Sequence, residues 1–460
     1  MDTKRLITHS LRESTRGESI ARIMAAALDA VDPISAVERN MMCTGDELSV
    51  AGQSYDLRQF RRTFVIGAGK AAIPMASAAG RLLGEHVYRG LVITKRGHTA
   101  DGSKILINPP PLIEILEAGH PVPDAQGVKG TQRIIEILSD VGSKDLVICL
   151  ISGGGSALML APSSGVKLDD LQSLTDTLLA AGVTINEINI LRKHLDLVKG
   201  GRLAKLTAPA QLVTLILSDV IGDPLDVIAS GPTVPDPSTY SDAYRVLEKY
   251  QLLNQVPESI ISQLRLGQRG EISETPKPGD SIFKRVQNVI VGNNFLAGQA
   301  ALEQSKTEGF NGVFLTSSLQ GEARLIGPTL AAIARQIETS GHPARRPACV
   351  ITGGETTVTI SGIGEGGRNQ ELALSAVVEL AGLQNISLVA LATDGGDGPT
   401  DAAGAVVTGE TLSRAMELGL DPIDFLDRND AYHFFEPLGD LLKTGPTLTN
   451  VNDLTFIFAC

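Results

Sequence analysis

Short, unbroken apolar runs recur along the chain and alternate with segments of helical character. Most of these runs lead into a turn that contains glycine. Continuous apolar runs of this length are typical of strands covered on both faces, and helical crossovers between them imply parallel pairing. The pattern therefore predicts an α/β protein built from mostly parallel sheets flanked by helices. The predicted strands are 63–67, 90–94, 146–151, 212–217, 288–292, 312–316, 348–352 and 387–392.

The length of the chain predicts more than one domain. A chain of 460 residues exceeds the size of an ordinary single core. The Pro- and charge-rich passage 266–281 is the best candidate for a linker, so we expect an N-terminal α/β domain at 1–270 and a C-terminal α/β domain at 271–460. Ligands of open α/β sheets bind beyond the carboxyl ends of the strands. The loops that follow the predicted strands are therefore where chemistry is expected.

The charge and composition of the chain argue against some classes of binding partner. The net charge is −12 and there is no dense Lys/Arg run, which argues against nucleic acid and anionic membranes as partners. No segment reaches the roughly 18 to 20 unbroken apolar residues of a membrane span, and the N-terminus lacks the apolar core of a signal peptide. The four cysteines are scattered, so reduced thiols are the simplest interpretation. We expect a cytoplasmic protein without a Cys/His metal site; the oligomeric state stays open, with a homodimer as one option.

The first glycine turn follows the strand at 63–67. Gly67 and Gly69 fit the relaxed dinucleotide fingerprint, but the second strand ends in Lys95, where NAD would require an acid to hold its ribose. What remains is a turn that sets Lys70 at the start of a helix. A cation there opposes the helix dipole by up to ~1 kcal/mol, which an anion bound between the two would explain. The alternative is a tight turn with Lys70 pointing to solvent.

A second glycine turn, Ser152-Gly153-Gly154-Gly155-Ser156, follows the strand at 146–151. Successive N–H groups without side chains can converge on one oxyanion, and the two serines can donate hydroxyl hydrogen bonds. The spacing does not meet the G-x-S-x-G rule of a nucleophile elbow. We therefore predict phosphate or carboxylate binding; the alternative is a turn needed only for close helix packing.

Carboxylates follow the strand at 212–217. Asp219 comes two residues after the strand, and Asp223 lies four residues further on. Such acids can hold a divalent cation or accept the proton of a substrate hydroxyl. The alternative is that they cap the next helix.

The segment 350–377 is the richest in candidate groups. Gly353, Gly354 and Glu355 follow a predicted strand, and Arg368 and Asn369 open a helix after a Gly-rich loop. Arginine binds carboxylate or phosphate in bidentate fashion, so Arg368 at a helix start again suggests an anion. The alternative is a flexible loop with an N-terminal cap made by Asn369.

A third acidic segment follows the strand at 387–392. Asp394, Asp397 and Asp401 are interleaved with glycines. They lack the length and terminal Glu of an EF-hand loop, and ordinary acidic turns explain most of the pattern. Asp394 is kept as a substrate-binding candidate.

Six motifs occur in one order along the chain: GAGKAA, ISGGGSALM, RKHLDLVKGGRLA, LSDVIGDPLDVIASGPT, ITGGETTVTISG with GEGGRNQE, and ATDGGDGPTDAAGA. In these motifs the chain resembles the class II glycerate kinases, whose C-terminal region is of the MOFRL type, here about 346–455. The resemblance implies two Rossmann-like domains with the active site in the cleft between them. It also implies transfer of the γ-phosphoryl group of ATP to D-glycerate, most often giving 2-phosphoglycerate, with Mg²⁺ or a similar ion.

The resemblance and the loops together define a hypothesis for the site. Lys70 and Arg368 match residues that are regarded as catalytic in the family. We expect Asp219 to hold Mg²⁺ or to orient the glycerate hydroxyl, with Asp223 as a second metal ligand. Phosphate or nucleotide contacts are assigned to Gly67, Gly69, Ser152, Gly153, Gly154, Gly155, Ser156, Gly353, Gly354 and Glu355, and substrate contacts to Arg368, Asn369 and Asp394.

Two other functions remain open from the sequence. An NADPH-dependent hydroxypyruvate reductase would use the dinucleotide fingerprint and Arg96, and some relatives in the family carry that name. No motif places an acid–base His beside a carboxylate, as hydride transfer to such a substrate usually requires. The third option is a non-catalytic protein that senses a small sugar acid between two lobes.

Overall fold

The computed structural model describes residues 1–97 and 112–460 and has the α/β class predicted from the sequence. It divides into a central unit, Pro33–Val291, and a terminal unit made of Met1–Asp32 and Gly292–Cys460. This division differs from the predicted 1–270 and 271–460, because the first 32 residues belong with the C-terminal segment. Nor is 266–281 a linker: Thr275 is buried and donates a 3.0 Å hydrogen bond to Asp236 within the central unit.

All eight predicted strands are present among the described residues. The strands are β1 (Met41–Thr44), β2 (Glu47–Val50), β3 (Gln53–Asp56), β4 (Arg62–Ala68), β5 (Val87–Lys95), β6 (Ile113–Ala118), β7 (Asp145–Ile151), β8 (Gln211–Leu217), β9 (Val286–Gly292), β10 (Asn311–Glu322), β11 (Ala348–Thr357), β12 (Ile386–Ala392), β13 (Gly404–Thr408), β14 (Leu441–Leu442) and β15 (Asp453–Ala459).

The helices alternate with these strands. They are α1 (His9–Glu13), α2 (Gly17–Ala30), α3 (Pro33–Asn40), α4 (Ala72–Leu83), α5 (Ala125–Leu138), α6 (Gly155–Leu158), α7 (Leu168–Ala180), α8 (Ile185–His194), α9 (Arg202–Thr207), α10 (Tyr240–Lys249), α11 (Glu258–Gln268), α12 (Asn294–Thr307), α13 (Ala323–Ser340), α14 (Arg368–Leu380), α15 (Thr411–Glu417), α16 (Pro422–Asp427) and α17 (Ala431–Phe435). Short 3-10 turns lie at Thr3–Leu6, Leu57–Gln59, Gly84–His86, Ile228–Ser230 and Ser281–Arg285. No helix within 1–97 and 112–460 has both the length and the apolar character needed to span a bilayer.

The central unit contains a six-stranded sheet in the order β6-β5-β4-β7-β8-β9. The four neighbouring pairs from β6 to β8 are parallel. Every residue of β7 is buried, as expected for a strand covered on both faces. In the register of β4 and β7, Ala68 lies opposite Ile151, so the carboxyl ends of these two strands are adjacent. The loops that leave them therefore meet at one edge of the sheet. The same unit also carries a small antiparallel sheet, β1-β2-β3.

The terminal unit contains a six-stranded sheet in the order β10-β11-β15-β12-β13-β14. It is mixed rather than mostly parallel. Only β10 and β11 form a parallel pair among its described strands; β15 runs antiparallel between β11 and β12. The sequence predictions did not include β15, and its insertion separates two strands that a helical crossover alone would have made neighbours.

The sequence of segment 184–206 has a helical pattern that Gly200 and Gly201 weaken, and in the structure it forms two helices. α8 ends at His194 and α9 begins at Arg202, with Gly200 and Gly201 at φ of 56° and 79° between them. A side chain on Gly201 would place its Cβ 2.7 Å from the carbonyl oxygen of Val234. The two glycines therefore form the turn that leads into α9, which requires positive φ and a close backbone approach.

Candidate active site

Two glycine turns are joined at the carboxyl ends of β4 and β7. The N–H of Ser152 donates to the carbonyl of Ala68 at 3.2 Å, and the N–H of Lys70 donates to the carbonyl of Gly153 at 2.9 Å. A third hydrogen bond between the two turns, 3.0 Å long, runs from the N–H of Ala71 to the Ser152 hydroxyl oxygen. The structure therefore brings the half-buried Lys70 beside the predicted phosphate-binding turn.

Close approach of the two turns explains several of the predicted glycines. Gly69 has φ of +143°, and a Cβ there would lie 2.0 Å from the Ser152 hydroxyl oxygen. Gly67 lies inside β4, where a Cβ would be 2.3 Å from the carbonyl oxygen of Leu150. The N–H groups of Gly69 and Gly155 already donate to the carbonyls of Ile93 and Ser152, so they cannot also donate fully to a phosphate. The engaged N–H groups count against the predicted phosphate contacts of Gly69 and Gly155.

The remaining candidates in the second turn are Gly153, Gly154 and Ser156. Gly154 has φ of +84°, and a Cβ on it would come within 2.8 Å of the His120 ring. α6 has only four residues, so the helix-dipole contribution expected after this turn is small. Any oxyanion binding here depends on local N–H groups and on nearby cations rather than on a long helix.

A hydrogen-bonded relay holds Ser156 in place. The Ser156 and Ser230 hydroxyl oxygens are 2.9 Å apart, and Ser230 donates to the side-chain oxygen of Asn189 on α8, also at 2.9 Å. Because Ser230 gives its proton to Asn189, the Ser156 hydroxyl donates to Ser230 and offers only lone pairs to a ligand. Ala229 and Ser230 have φ of 50° and 61°, a backbone arrangement that costs on the order of 1–2 kcal/mol for each residue. The fold thus maintains a strained turn at this position.

The two acids after β8 lie in a turn of the central unit. Asp219 and Asp223 are both half-buried, and the N–H of Asp223 donates to the carbonyl of Val220 at 3.0 Å. The described part of the chain contains no group of three or more His, Cys, Asp or Glu that could hold a metal ion. Mg²⁺ in phosphoryl-transfer enzymes is usually held by one or two carboxylates together with substrate phosphates. Asp219 and Asp223 suit such a substrate-dependent site by their chemistry.

In the terminal unit, Arg368 is held by two carboxylates. Its Nη1 donates to Glu355 Oε1 at 2.5 Å, and its Nε lies 2.6 Å from Asp453 Oδ2. The side chains of Arg368 and Asp453 are 30% and 8% exposed. Burial lowers the pKa of Arg368, but the two carboxylates raise it by more. Burial also raises the pKa of Asp453 to about 7, because it outweighs the attraction of the guanidinium.

The start of α14 is capped by Asp397. The N–H groups of Asn369 and Gln370 donate to its two carboxylate oxygens at 3.1 and 2.8 Å, and the Asn369 side-chain amide donates to it as well. Burial raises the pKa of Asp397, while these hydrogen bonds lower it. The helix start is therefore occupied by a protein carboxylate. This corrects two predictions, an anion site at the first turn of α14 and a substrate contact by Asn369, which is buried in the cap.

Gly353 and Gly354 lie inside β11, not in a loop after it. The strand runs to Thr357, five residues beyond its predicted end. A Cβ on Gly353 would lie 1.8 Å from the Asn294 side chain, and one on Gly354 would lie 2.1 Å from the carbonyl oxygen of Leu319. The two glycines are explained by close packing within the terminal unit, and Glu355 by its pairing with Arg368.

The acids of 394–401 serve separate roles rather than one metal site. Asp397 caps α14, and Asp401 pairs with Lys443 at 3.1 Å and accepts from the Tyr432 hydroxyl at 2.8 Å. Asp394 accepts from the N–H of Gly396 at 3.1 Å and is half-buried. Asp394, the one acid of the three that was predicted to contact substrate, keeps that prediction.

Sequence reasoning missed Asp453 and the Asn189–Ser230 relay. Asp453 is the first residue of β15, so an acid at the start of a mostly apolar run was the available signal. No local signal marks Ser230, because its role depends on a hydroxyl 74 residues away in the sequence.

Comparison with known proteins assigns the chain to a family. The MOFRL family model matches residues 348–453, and a model described as a domain of unknown function, DUF4147, matches residues 19–265. A D-glycerate 2-kinase of Thermotoga maritima is 45% identical over 393 residues, which cover 85% of this chain and 89% of that protein. A putative hydroxypyruvate reductase of Agrobacterium vitis is 40% identical over 440 residues, covering 95% and 93%.

A solved structure agrees with these matches. The crystal structure of a glycerate kinase from Thermotoga maritima has a TM-score of 0.84 and 41% identity, and the match covers 95% of this chain and 98% of that one. Identity above 40% over nearly the whole length carries the family as well as the fold. The chain therefore belongs to the class II glycerate kinases, the family of phosphotransferases whose C-terminal region is of the MOFRL type.

Proposed function

We propose that the protein transfers the γ-phosphoryl group of ATP to D-glycerate and forms 2-phosphoglycerate. The observation that carries this proposal is the hydrogen-bonded pair of turns at β4 and β7, which sets Lys70 beside Gly153. Loose phosphoryl transfer demands little covalent chemistry from the protein and much stabilisation of negative charge. A lysine fixed beside a glycine turn meets that demand, and the D-glycerate 2-kinase relative supports the choice of substrate.

The candidate site residues of the central unit have separate roles in this proposal. Lys70 neutralises charge on the transferring group, and the N–H groups of Gly153 and Gly154 contact phosphate oxygens. Ser156 is left out of this set because its hydroxyl proton goes to Ser230. Asp219 and Asp223 would hold Mg²⁺, which supplies charge neutralisation of the triphosphate when bound. Asp219 alternatively orients the reacting hydroxyl of glycerate.

Arg368 contributes from the terminal unit. Glu355 and Asp453 fix its guanidinium, which leaves donors on both terminal nitrogens for a phosphate or a carboxylate. The two carboxylates also cancel much of its positive charge. Its proposed part is therefore directional hydrogen bonding more than bulk attraction, and Asp394 stays a proposed substrate contact.

The reductase alternative rests on the printed name of the Agrobacterium vitis relative. In this chain Arg96, which an NADPH site would use for the 2′-phosphate, donates to Asp124 at 2.7 Å. The N–H of Gly69, the second fingerprint glycine, is likewise taken by the carbonyl of Ile93. Both groups are engaged, which favours the kinase.

One set of assays tests the proposal. Purified protein is incubated with ATP, Mg²⁺ and D-glycerate, and phosphorus NMR identifies the product and the hydroxyl that carries the phosphate. NADPH loss on adding hydroxypyruvate is measured in parallel. We expect 2-phosphoglycerate and no NADPH loss; ligand binding without ATP turnover would instead support a sensor.

Two variants test the residue roles. Lys70→Met and Arg368→Met should each lower kcat/KM on the order of a thousandfold. Arg285→Met is the control, because Arg285 is exposed and donates a hydrogen bond to the carbonyl of Ser143 rather than to an acid or to the site. Near-normal turnover in either folded test variant would remove that residue from the mechanism.

A further inference from the structure

Arg192, on α8 of the central unit, is a half-buried cation that no acid among the described residues balances. Within residues 1–97 and 112–460 its guanidinium makes no hydrogen bond and has no carboxylate within ion-pair distance. The next residue, Lys193, contrasts with it: its ammonium group lies 3.1 Å from Asp226 and 3.5 Å from Asp236. Charges withdrawn from water are ordinarily paired in proteins, so an unbalanced, half-buried guanidinium suits an anion.

The position of Arg192 links it to the proposed phosphate-binding turn. Residues three apart on a helix share a face, so Arg192 lies one turn along α8 from Asn189. Asn189 accepts from Ser230, and Ser230 is hydrogen-bonded to Ser156. The face of α8 that carries Arg192 therefore borders the turn that follows β7.

A second buried cation, Lys199, lies close enough to Arg192 to be affected by its charge. Lys199 is almost completely buried, with its Nζ 3.1 Å from Asp196 Oδ2 and 2.8 Å from the carbonyl oxygen of Met159. Burial lowers the pKa of Lys199, Asp196 raises it, and the charge of Arg192 lowers it further. Burial also lowers the pKa of Arg192 itself. An anion beside Arg192 would relieve both effects.

Arg368, in the terminal unit, differs from Arg192 because its charge is balanced by protein carboxylates. Glu355 and Asp453 already balance that guanidinium, so it attracts a substrate anion less strongly than an unpaired arginine would. A small hydroxy acid and a triphosphate both carry charge that a phosphotransferase must bind. Arg192 is a planar, bidentate donor suited to either.

We propose that Arg192 binds an oxyanion of a substrate beside the Ser156–Ser230 pair, either the carboxylate of D-glycerate or a phosphate of the nucleotide. This inference rests on the proposed kinase function and adds a substrate-binding residue to it. Arg192 acts by direct contact with the anion, so its loss changes affinity for one substrate more than for the other.

The test compares full-length wild type with Arg192→Met, which keeps much of the side-chain volume and removes the charge. Arg285→Met removes the same charge from an exposed position of the same unit. KM and kcat are measured for D-glycerate and ATP, and calorimetry gives Kd for D-glycerate and for a non-hydrolysable ATP analogue. Melting temperatures establish that each variant is folded.

We expect Arg192→Met to weaken one ligand by about ten- to a hundredfold, the effect of losing a hydrogen bond to a charged group, while Arg285→Met changes neither. Loss confined to D-glycerate identifies the carboxylate; loss confined to the ATP analogue identifies a phosphate. Affinities for both within about twofold of wild type, at an unchanged melting temperature, would overturn the inference.

Two further arms keep the result decisive. If Arg192→Met does not fold, Arg192→Lys carries the test, because an ammonium group cannot reproduce bidentate geometry: a several-fold loss for one ligand supports the inference, and none overturns it. If the wild type shows no ATP turnover, the proposed function fails, yet calorimetry on the variants still decides the role of Arg192. Normal wild-type turnover with an unaffected Arg192→Met removes this inference alone.

Discussion

Replacing Asp453 with Asn should stabilise the protein above neutral pH while weakening its activity. Asp453 is nearly buried, and burial raises the pKa of its carboxyl group from 3.8 to about 7. Between these two values the folded state holds a proton that the unfolded state has lost. The free energy of unfolding of the wild type therefore falls as pH rises from about 4 to about 7, by the linkage relation. Asp453→Asn carries no titrating proton and lacks this slope.

The magnitude follows from the balance of two effects. A difference of about three pKa units corresponds to roughly 4 kcal/mol as an upper bound. Loss of a partner for Arg368 opposes this gain, but Arg368 is 30% exposed and keeps Glu355, so no uncompensated buried charge is left. We therefore expect a net gain on the order of 2 kcal/mol at pH 8 and almost none at pH 4. For a unit of this size the gain raises the melting temperature by roughly 4–8 °C.

Activity should change in the opposite direction. Asp453 lies against two guanidinium nitrogens of Arg368, and a neutral amide holds that group less firmly. A misplacement of about 1 Å can cost up to a hundredfold, so we expect kcat to fall between ten- and a hundredfold at pH 8. In the wild type, protonation of Asp453 should produce part of the same loss below about pH 7, and the variant should lack that limb of the pH profile.

Thermal melting from pH 4 to 8 and steady-state kinetics over the range in which the protein stays folded test this prediction. Asp424→Asn removes one carboxylate from an exposed position in the same unit and controls for net charge. The reasoning fails if Asp453→Asn melts several degrees below the wild type at pH 8. It also fails if the two melting curves keep a constant separation from pH 4 to 7.

Three other predictions follow from single contacts. Asp397→Ala removes the cap of α14 and should lower the free energy of unfolding by about 2 kcal/mol, seen in denaturant titration; an unchanged midpoint would contradict the cap. Gly69→Ala would set a Cβ 2.0 Å from the Ser152 hydroxyl oxygen, so melting temperature and kcat should both drop sharply, whereas a normal enzyme would show that the turns can separate. Burial raises the pKa of Asp145, but hydrogen bonds, led by that from Arg62, lower it more, to about 2. The stability that the ionised carboxylate contributes is therefore present above pH 4 and should be lost as pH falls toward 2. Unfolding measured as a function of acid pH checks this, and Asp145→Asn should remove that pH dependence.

Apolar periodicity predicted the strands better than it predicted their partners. All eight strand assignments are confirmed, because a buried strand contains a local run of Val, Ile and Leu that is visible in the sequence. The neighbours of β11 could not be read in this way, since β15 comes from the far end of the chain and pairs through backbone groups that every sequence has. The domain boundary was displaced for a similar reason: the first 32 residues join the terminal unit through tertiary contacts.

The candidate site residues show the same difference between what local sequence predicts and what tertiary packing decides. Lys70 and Ser152 were predicted from glycine turns after strands, and adjacent parallel strands do bring those turns together. Gly353 was assigned to a ligand, yet a neighbouring Asn294 side chain accounts for it. A glycine pattern in the sequence does not distinguish a position that leaves room for a ligand from one that leaves room for a neighbouring side chain or backbone segment.

By itself the sequence determined the α/β class, the positions of the main strands, and the glycine turns that carry Lys70 and Ser152, because these follow from local periodicity and backbone geometry. Its motifs also pointed to the family. Only the tertiary structure decided which charges are balanced: Arg368 meets Glu355 and Asp453, whereas Arg192 meets no acid in the described chain. The physical reason is that charge pairing and burial depend on distances between residues far apart in sequence, and no local pattern records them.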